Sequence, residues 1–118
     1  MNEAVSIIIL NYNGRQYLND CLSSVLKQSY NNFEIILFDN NSADDSIGFI
    51  KSNFSDSRLK VISSEKNLGF AGGNNEGIRF ALNQGFSHVM LLNNDTEVEP
   101  DFLGEMMLKL NQHPRWGV

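Results

Sequence analysis

The chain has 118 residues, 42% of them hydrophobic, and a net charge of −5 with a pI near 4.8. That length suits one globular domain able to bury roughly two-thirds of its unfolded surface. No basic stripe is present to make nucleic acid the main partner, and no run of Lys or Arg marks a membrane patch.

Val5 to Leu10 is a short β-branched run that reads as a buried strand. Asn11-Tyr12-Asn13-Gly14 breaks it with turn chemistry. Leu18, Cys21, Leu22, Val25 and Leu26 then recur at helical spacing. Phe33 to Phe38 is the second strand. Ser42 with Asp45 three residues on resembles a capping box, which would open a helix through Ile47 and Ile50. Leu59 to Ile62 is a third, short strand, expected near an edge. A polar, glycine-rich loop from Glu65 to Asn75 leads into a helix carrying Ile78, Ala81 and Leu82, which Gly85 closes. His88 to Leu92 is the fourth strand. Pro100 suits a first helical position, with Glu99 as a weak N-cap. Phe102, Leu103, Met106 and Leu110 supply the inner face of a last helix, which Pro114 stops. Strands alternating with helices imply an α/β fold with a parallel sheet. An apolar stretch begins at Trp116-Gly117-Val118, so residues 1–118 are expected to be a single domain truncated at its C-terminus.

Two apolar runs stop at clusters of Asn and Asp, namely Phe38-Asp39-Asn40-Asn41 and Leu91-Leu92-Asn93-Asn94-Asp95. In an open parallel sheet, ligands bind in the crevice beyond the carboxyl ends of the strands. A carboxylate there suits a sugar hydroxyl, a base edge or a hard cation. Asp39 is placed to accept from a ribose hydroxyl or a base N–H, with Asn41 and Asp44 beside it. The plainer reading of Ser42, Asp44 and Asp45 is helix capping. Asp95 suits Mg²⁺ or Mn²⁺ bridging diphosphate oxygens. Asn67 to Gly77 is dense in Gly and Asn, which lets backbone N–H groups approach an anion. It matches neither the dinucleotide fingerprint nor a P-loop. His88 and His113 lack metal-ligand neighbours, Ser6 and Ser87 lie on no nucleophile elbow, and Cys21 lies on an apolar helix face; all read as structural. Trp116 and the Met106-Met107 pair read as packing.

Four segments in order, VSIIILNYNG from Val5, FDNNSAD from Phe38, NLGFAGGNNEG from Asn67 and LLNNDTEV from Leu91, resemble the nucleotide-binding half of a family 2 glycosyltransferase with the GT-A fold. The wording is most similar to the rhamnosyltransferase-like branch. The resemblance covers about residues 4 to 105 and implies a Rossmann-like parallel sheet with strand order 3-2-1-4. It implies inverting transfer of a sugar from a nucleotide diphosphate donor, a UDP- or dTDP-sugar, to a glycan or lipid-linked acceptor, in bacterial polysaccharide or glycoconjugate synthesis. Leu10, Asn11 and Tyr12 would flank the nucleobase; Asp39 would meet the base or ribose, with Asn41 near it. Asn67, Gly69, Gly73 and Asn74 would line the nucleotide pocket. Asn93, Asn94 and Asp95 stand where the family carries Asp-x-Asp, and Asp95 would be the metal-binding acid.

The first acid of that motif is Asn93 here, which brings no charge and puts metal dependence in question. The family's general base lies downstream of this segment, so an isolated chain is expected to bind nucleotide without catalysing transfer. The rival readings are a sugar nucleotidyltransferase, which the single glycine of Asn11 to Arg15 disfavours, and a non-catalytic nucleotide-binding fragment. Exposed surface left by a missing half would favour homo-oligomers. One cysteine allows no intrachain disulfide, no secretory signal is evident, and the longest apolar runs fall short of the ~20 residues a membrane helix needs. Cytoplasmic residence is expected, with peripheral attachment at the inner face of the membrane still open.

Overall fold

The computed structural model describes residues 3–112. Its elements are β1 (Val5–Asn11), α1 (Arg15–Leu26), β2 (Phe33–Asp39), α2 (Ser46–Asn53), β3 (Leu59–Ser63), α3 (Gly69–Asn83), β4 (His88–Asn93) and α4 (Phe102–Gln112). The four strands form one sheet in the order β3-β2-β1-β4, and every pair is parallel. Parallel neighbours need crossovers, which the helices supply. β1 and β2 are central, so both faces of each are covered and their runs are apolar without alternation. β3 and β4 are the outer strands, as the short Leu59 segment suggested.

The two-residue period of the strands divides the core. Val5, Ile7, Ile9, Ile35, Leu37 and Met90 face α1, α2 and α4, where Leu18, Leu22, Val25, Ile50, Leu103 and Met107 are buried against them. Cys21 lies in the same layer, as expected for a core thiol. Ile8 and Ile36 face the other way, onto Ala81 of α3.

Three local expectations are corrected. The glycine-rich segment is mostly helix, because α3 starts at Gly69 rather than after Asn75. Its glycines serve close approach: a Cβ at Gly73 would sit 2.4 Å from Leu10 Cδ1, and one at Gly77 would sit 2.6 Å from Ile8 Cγ2. With Ala81 they form a smooth stripe at four-residue spacing that seats α3 on the sheet. Secondly, Ser42 caps no helix. α2 begins at Ser46, and Asp44 receives its first N–H, from Ser46, at 3.1 Å. Thirdly, Pro100 lies in the turn before α4. Gln28 from α1's end, rather than Glu99, caps that helix: its Oε1 accepts from Leu103 N at 2.8 Å and its Nε2 donates to Glu99 O at 2.6 Å. Gly85 closes α3 with a positive φ of 93°, as expected. His88 bonds the Glu3 carboxylate, a structural role. The expectations for His113, Pro114 and Trp116 fall outside the described residues.

Candidate functional site

The carboxyl ends of β1, β2 and β4 stand level: Asn11 pairs with Asp39, and Leu10 with Asn93. Above them lies a cleft of about 410 Å³, within the size range of small-ligand sites. Leu10 and Asn40, at the ends of β1 and β2, form its floor. One wall is the start of α3, with Asn67, Gly69, Phe70 and Asn74. The other is the end of β4 and its turn, with Leu91, Leu92, Asn93, Asn94 and Asp95. A larger depression, about 680 Å³, lies around Asn13, Arg15, Asp44 and Phe49, but it is a more open surface hollow that shares no residue with this cleft.

Eight of the expected residues therefore meet in one place: Leu10, Tyr12, Asn67, Gly69, Asn74, Asn93, Asn94 and Asp95. Asn11, Asp39, Asn41 and Gly73 do not line the cleft. Gly73 is buried beneath it, against Leu10 and Asn40. Asn41 is exposed, with a positive φ of 65° that turns the chain after β2. Asn11 and Asp39 point toward the α1 side, by the same parity that puts Ile9 and Leu37 there.

Asp39 is 2% exposed and fully engaged. Its Oδ1 accepts from Asn11 Nδ2 at 2.9 Å and Ser42 Oγ at 2.8 Å; its Oδ2 accepts from Ser42 N at 2.9 Å. Asn11 Oδ1 accepts from Asn94 Nδ2 at 2.8 Å. Gly14 makes room for this: a Cβ there would lie 2.1 Å from Asn94 Nδ2 and 2.6 Å from Asn11 Oδ1. Ser42 Oγ also accepts from Asn13 N at 2.8 Å, which ties the two loops together. Asp44 bridges Arg15 N at 3.0 Å and Ser46 N. Burial pushes its carboxyl up, but the bonds from Ser46 and Arg15 outweigh this and hold it below the usual range.

Asn40, Phe70, Leu91 and Leu92 also line the cleft, beyond the expected set. Asn40 is the instructive one. Buried to 2%, it donates from Nδ2 to Gly69 O at 2.9 Å and accepts on Oδ1 from Leu68 N at 2.9 Å. Both ends of one carboxamide hold the loop that begins α3. The signal available in the sequence was its place beside Asp39, where period two puts it on the opposite face of the sheet.

Charge in the cleft is sparse. Asp95 is its one carboxylate, and no Lys, Arg or His lines it among the described residues. Phe70 is 70% exposed and Tyr12 51%, so two aromatic faces stand free at its rim. Asn74 is 6% exposed and lines the cleft from the first turns of α3. Beneath the β4 turn, the Cys21 thiol approaches Asn93 O at 3.7 Å, and Thr96 N bonds Asn93 O at 3.2 Å to close the turn. Burial first, opposed by a bond from Thr96 and reinforced by the Asp95 charge, pushes that thiol up to about 11.

No group of three His, Cys, Asp or Glu side chains able to hold a metal occurs among the described residues. A lone carboxylate beside amide oxygens still fits Mg²⁺ or Mn²⁺, which are commonly held by one or two carboxylates plus substrate phosphates. No helix among these residues is long and apolar enough to cross a membrane.

A model of glycosyl transferase family 2 matches residues 6–118. The chain is 40% identical over 77 residues to the UDP-Glc:alpha-D-GlcNAc-diphosphoundecaprenol beta-1,3-glucosyltransferase WfgD of Escherichia coli, covering 65% of this chain and 30% of that protein. It is 31% identical over 115 residues to the poly-beta-1,6-N-acetyl-D-glucosamine synthase of Staphylococcus epidermidis, covering 98% of this chain and 27% of that one. S. aureus TarS 1-349, solved in complex with UDP-GlcNAc, superposes with a TM-score of 0.78 at 25% identity, over 93% of this chain and 32% of that one. The chain thus spans about a third of the length of the proteins it matches.

Proposed function

This chain belongs to glycosyltransferase family 2, and from that premise we propose that its cleft is the donor site of a transferase that passes a sugar from a nucleoside diphosphate to an acceptor hydroxyl. The observation that carries the reading is the cleft itself: an amide-lined crevice at the carboxyl ends of the strands, with Asn40, Asn67, Asn74, Asn93 and Asn94 around a single acid, Asp95, among the described residues. Tyr12 and Phe70 offer flat faces on which a base can stack. The carboxamides of Asn67 and Asn74 also line the cleft and suit ribose hydroxyls and base edges, since a carboxamide can both donate and accept, while Asn40 holds the loop that carries Asn67.

Asp95 would hold Mg²⁺ or Mn²⁺ jointly with the diphosphate. When bound, that cation supplies charge stabilisation of the leaving nucleotide. The chain's own part is to bind and orient the donor. Among the described residues, no second carboxylate and no His lines the cleft to take the acceptor's proton. We assign that base, and the acceptor site, to residues beyond these 118. Transfer would proceed by direct displacement with inversion. The similarity to WfgD and to the poly-N-acetylglucosamine synthase favours a UDP-linked donor and a role in bacterial polysaccharide synthesis; dTDP is the alternative donor base.

Calorimetric titration of the chain with UDP and dTDP, each with and without Mn²⁺, tests the reading. The expected result is binding of one nucleotide, strengthened by Mn²⁺, with the Mn²⁺ effect lost in Asp95→Ala. Absence of binding for both nucleotides, or an unchanged Mn²⁺ effect in Asp95→Ala, would refute it.

A further inference from the structure

Asp39, Asn11 and Asn94 form a chain of side chains across the ends of three neighbouring strands. Its polarity is forced. An ionised carboxylate only accepts hydrogen bonds, so the end of Asn11 that meets Asp39 has to be Nδ2. The other end of Asn11 is therefore Oδ1, and the end of Asn94 that meets it has to be Nδ2. Asn94 is left with Oδ1 as its free end, and Asn94 lines the cleft beside Asp95.

We propose that Asp39 is a positioning residue: through Asn11 it turns the Asn94 carboxamide oxygen-outward, so that this corner of the cleft presents the oxygens of Asn94 and Asp95 together to a divalent cation carried by a nucleoside diphosphate. Asp39 thereby shapes the site without touching its ligand. Its two oxygens are occupied by Asn11 and Ser42, and its side chain lies on the opposite side of the sheet plane from Leu10 and Asn93. Ser42 anchors the start of the relay, and Gly14 leaves the space in which Asn94 and Asn11 meet. The relay also explains how a cleft with one acid can favour a cation: the oxygen that a second Asp would bring is supplied by an amide with a fixed orientation. The cation part rests on the donor-site reading above; the orientation part does not.

Reversal of the relay is the test. In Asp39→Asn, Ser42 N still requires an oxygen from residue 39, so the new amide nitrogen faces Asn11. Asn11 then turns over, and Asn94 presents nitrogen to the cleft. In Asn94→Asp alone, the new carboxylate faces the Asn11 oxygen that Asp39 holds in place. Combining the two changes restores a consistent chain, Asp39→Asn with Asn94→Asp, in which Asn11 donates to the new acid. Thermal unfolding should show Asn94→Asp lowered by about 5 °C or more, with most of the loss recovered in the double variant. Titration with UDP and dTDP in Mn²⁺ should show affinity down about tenfold in Asp39→Asn and regained in the double variant. Additive melting shifts would overturn the relay. Coupled melting shifts with unchanged Mn²⁺-dependent affinity in Asp39→Asn would overturn the role given to the Asn94 oxygen. If the unsubstituted chain binds neither nucleotide, the donor-site reading falls and the cation role with it, while the melting cycle still decides the orientation.

Discussion

Replacing Asn40 should loosen one wall of the cleft while leaving the sheet intact. Its carboxamide makes two hydrogen bonds of 2.9 Å, to Leu68 N and Gly69 O. Each contributes about 1 kcal/mol, and stranding a partly buried peptide group adds about 1 kcal/mol more. Asn40→Ala should therefore cost about 2–4 kcal/mol, tolerable for a domain of ordinary stability. Asn40→Asp separates the two bonds. The acceptor role toward Leu68 survives, but at neutral pH a carboxylate oxygen replaces the donor to Gly69 O, in a site 2% exposed and next to Asp39. Burial and a like charge raise that new acid's folded-state pKa above its unfolded value. A raised acid destabilises above its folded pKa, and the penalty fades as pH falls toward the unfolded value near 3.9. Protonated, the group again donates to Gly69 O. Urea unfolding followed by circular dichroism, at neutral pH and at about pH 4.5, should show Asn40→Asp recovering relative to the parent on acidification, and Asn40→Ala not. An Asn40→Ala loss under about 0.5 kcal/mol, or no relative recovery of Asn40→Asp, would refute the clamp.

Gly77→Ala gains about 1 kcal/mol of helix propensity, but its methyl would lie 2.6 Å from Ile8 Cγ2, on a β-branched side chain with no exposed surface. The expected net loss is about 1–2 kcal/mol by urea unfolding, whereas Gly72→Ala, whose nearest neighbour is Leu68 Cβ at 3.1 Å, should be close to neutral. Asp56 is lowered to about 2, chiefly by the side-chain bond from Arg58. Its contribution is present above the unfolded carboxyl value and is lost as pH falls from about 4 toward 2, so Asp56→Asn should flatten that part of the acid-unfolding curve; an unchanged curve counts against the pair. Cys21, raised to about 11 by burial, should stay silent to a disulfide reagent at pH 8 in the native chain and react fully once it is unfolded. Rapid native reaction would show that the β4 turn does not rest on a closed core.

The architecture was legible because its signals are local and redundant. Two β-branched runs too apolar for a one-sided sheet, Val5 to Leu10 and Phe33 to Phe38, belong to the central strands, and the shorter Leu59 and His88 runs belong to the edges. The place of the cleft was legible too, since strand ends rich in Asn and Asp have to meet at one edge of a parallel sheet. What misled was reading the glycines by composition. Gly73 and Gly77 look like loop residues, and their spacing from Ala81 at four-residue intervals carries the other meaning, a helix face with no side chains in the way. Ser42 failed as a cap because a capping hydroxyl must accept from the helix's first N–H groups, whereas its Oγ accepts from Asn13 N and the helix starts four residues later, where Asp44 accepts from Ser46 N.

The division of labour among the acids and amides follows from parity more than from residue type. Asp39 shares its face with Ile35 and Leu37, Asn11 with Ile7 and Ile9, and that face is packed by α1. Leu10, Asn40 and Asn93 belong to the other face, where α3 leaves its first turn open. On β1 and β2, alternation therefore separates Leu10 and Asn40, which line the cleft, from Asn11 and Asp39, which do not. It leaves the cleft with amides and one acid, so the charge of a diphosphate has no fixed cation to meet there. A site built this way gains selectivity by the direction in which each amide points, and direction needs an anchor that cannot turn over. A buried carboxylate with both oxygens engaged is such an anchor, which gives Asp39 a reason to be an acid although it does not line the cleft.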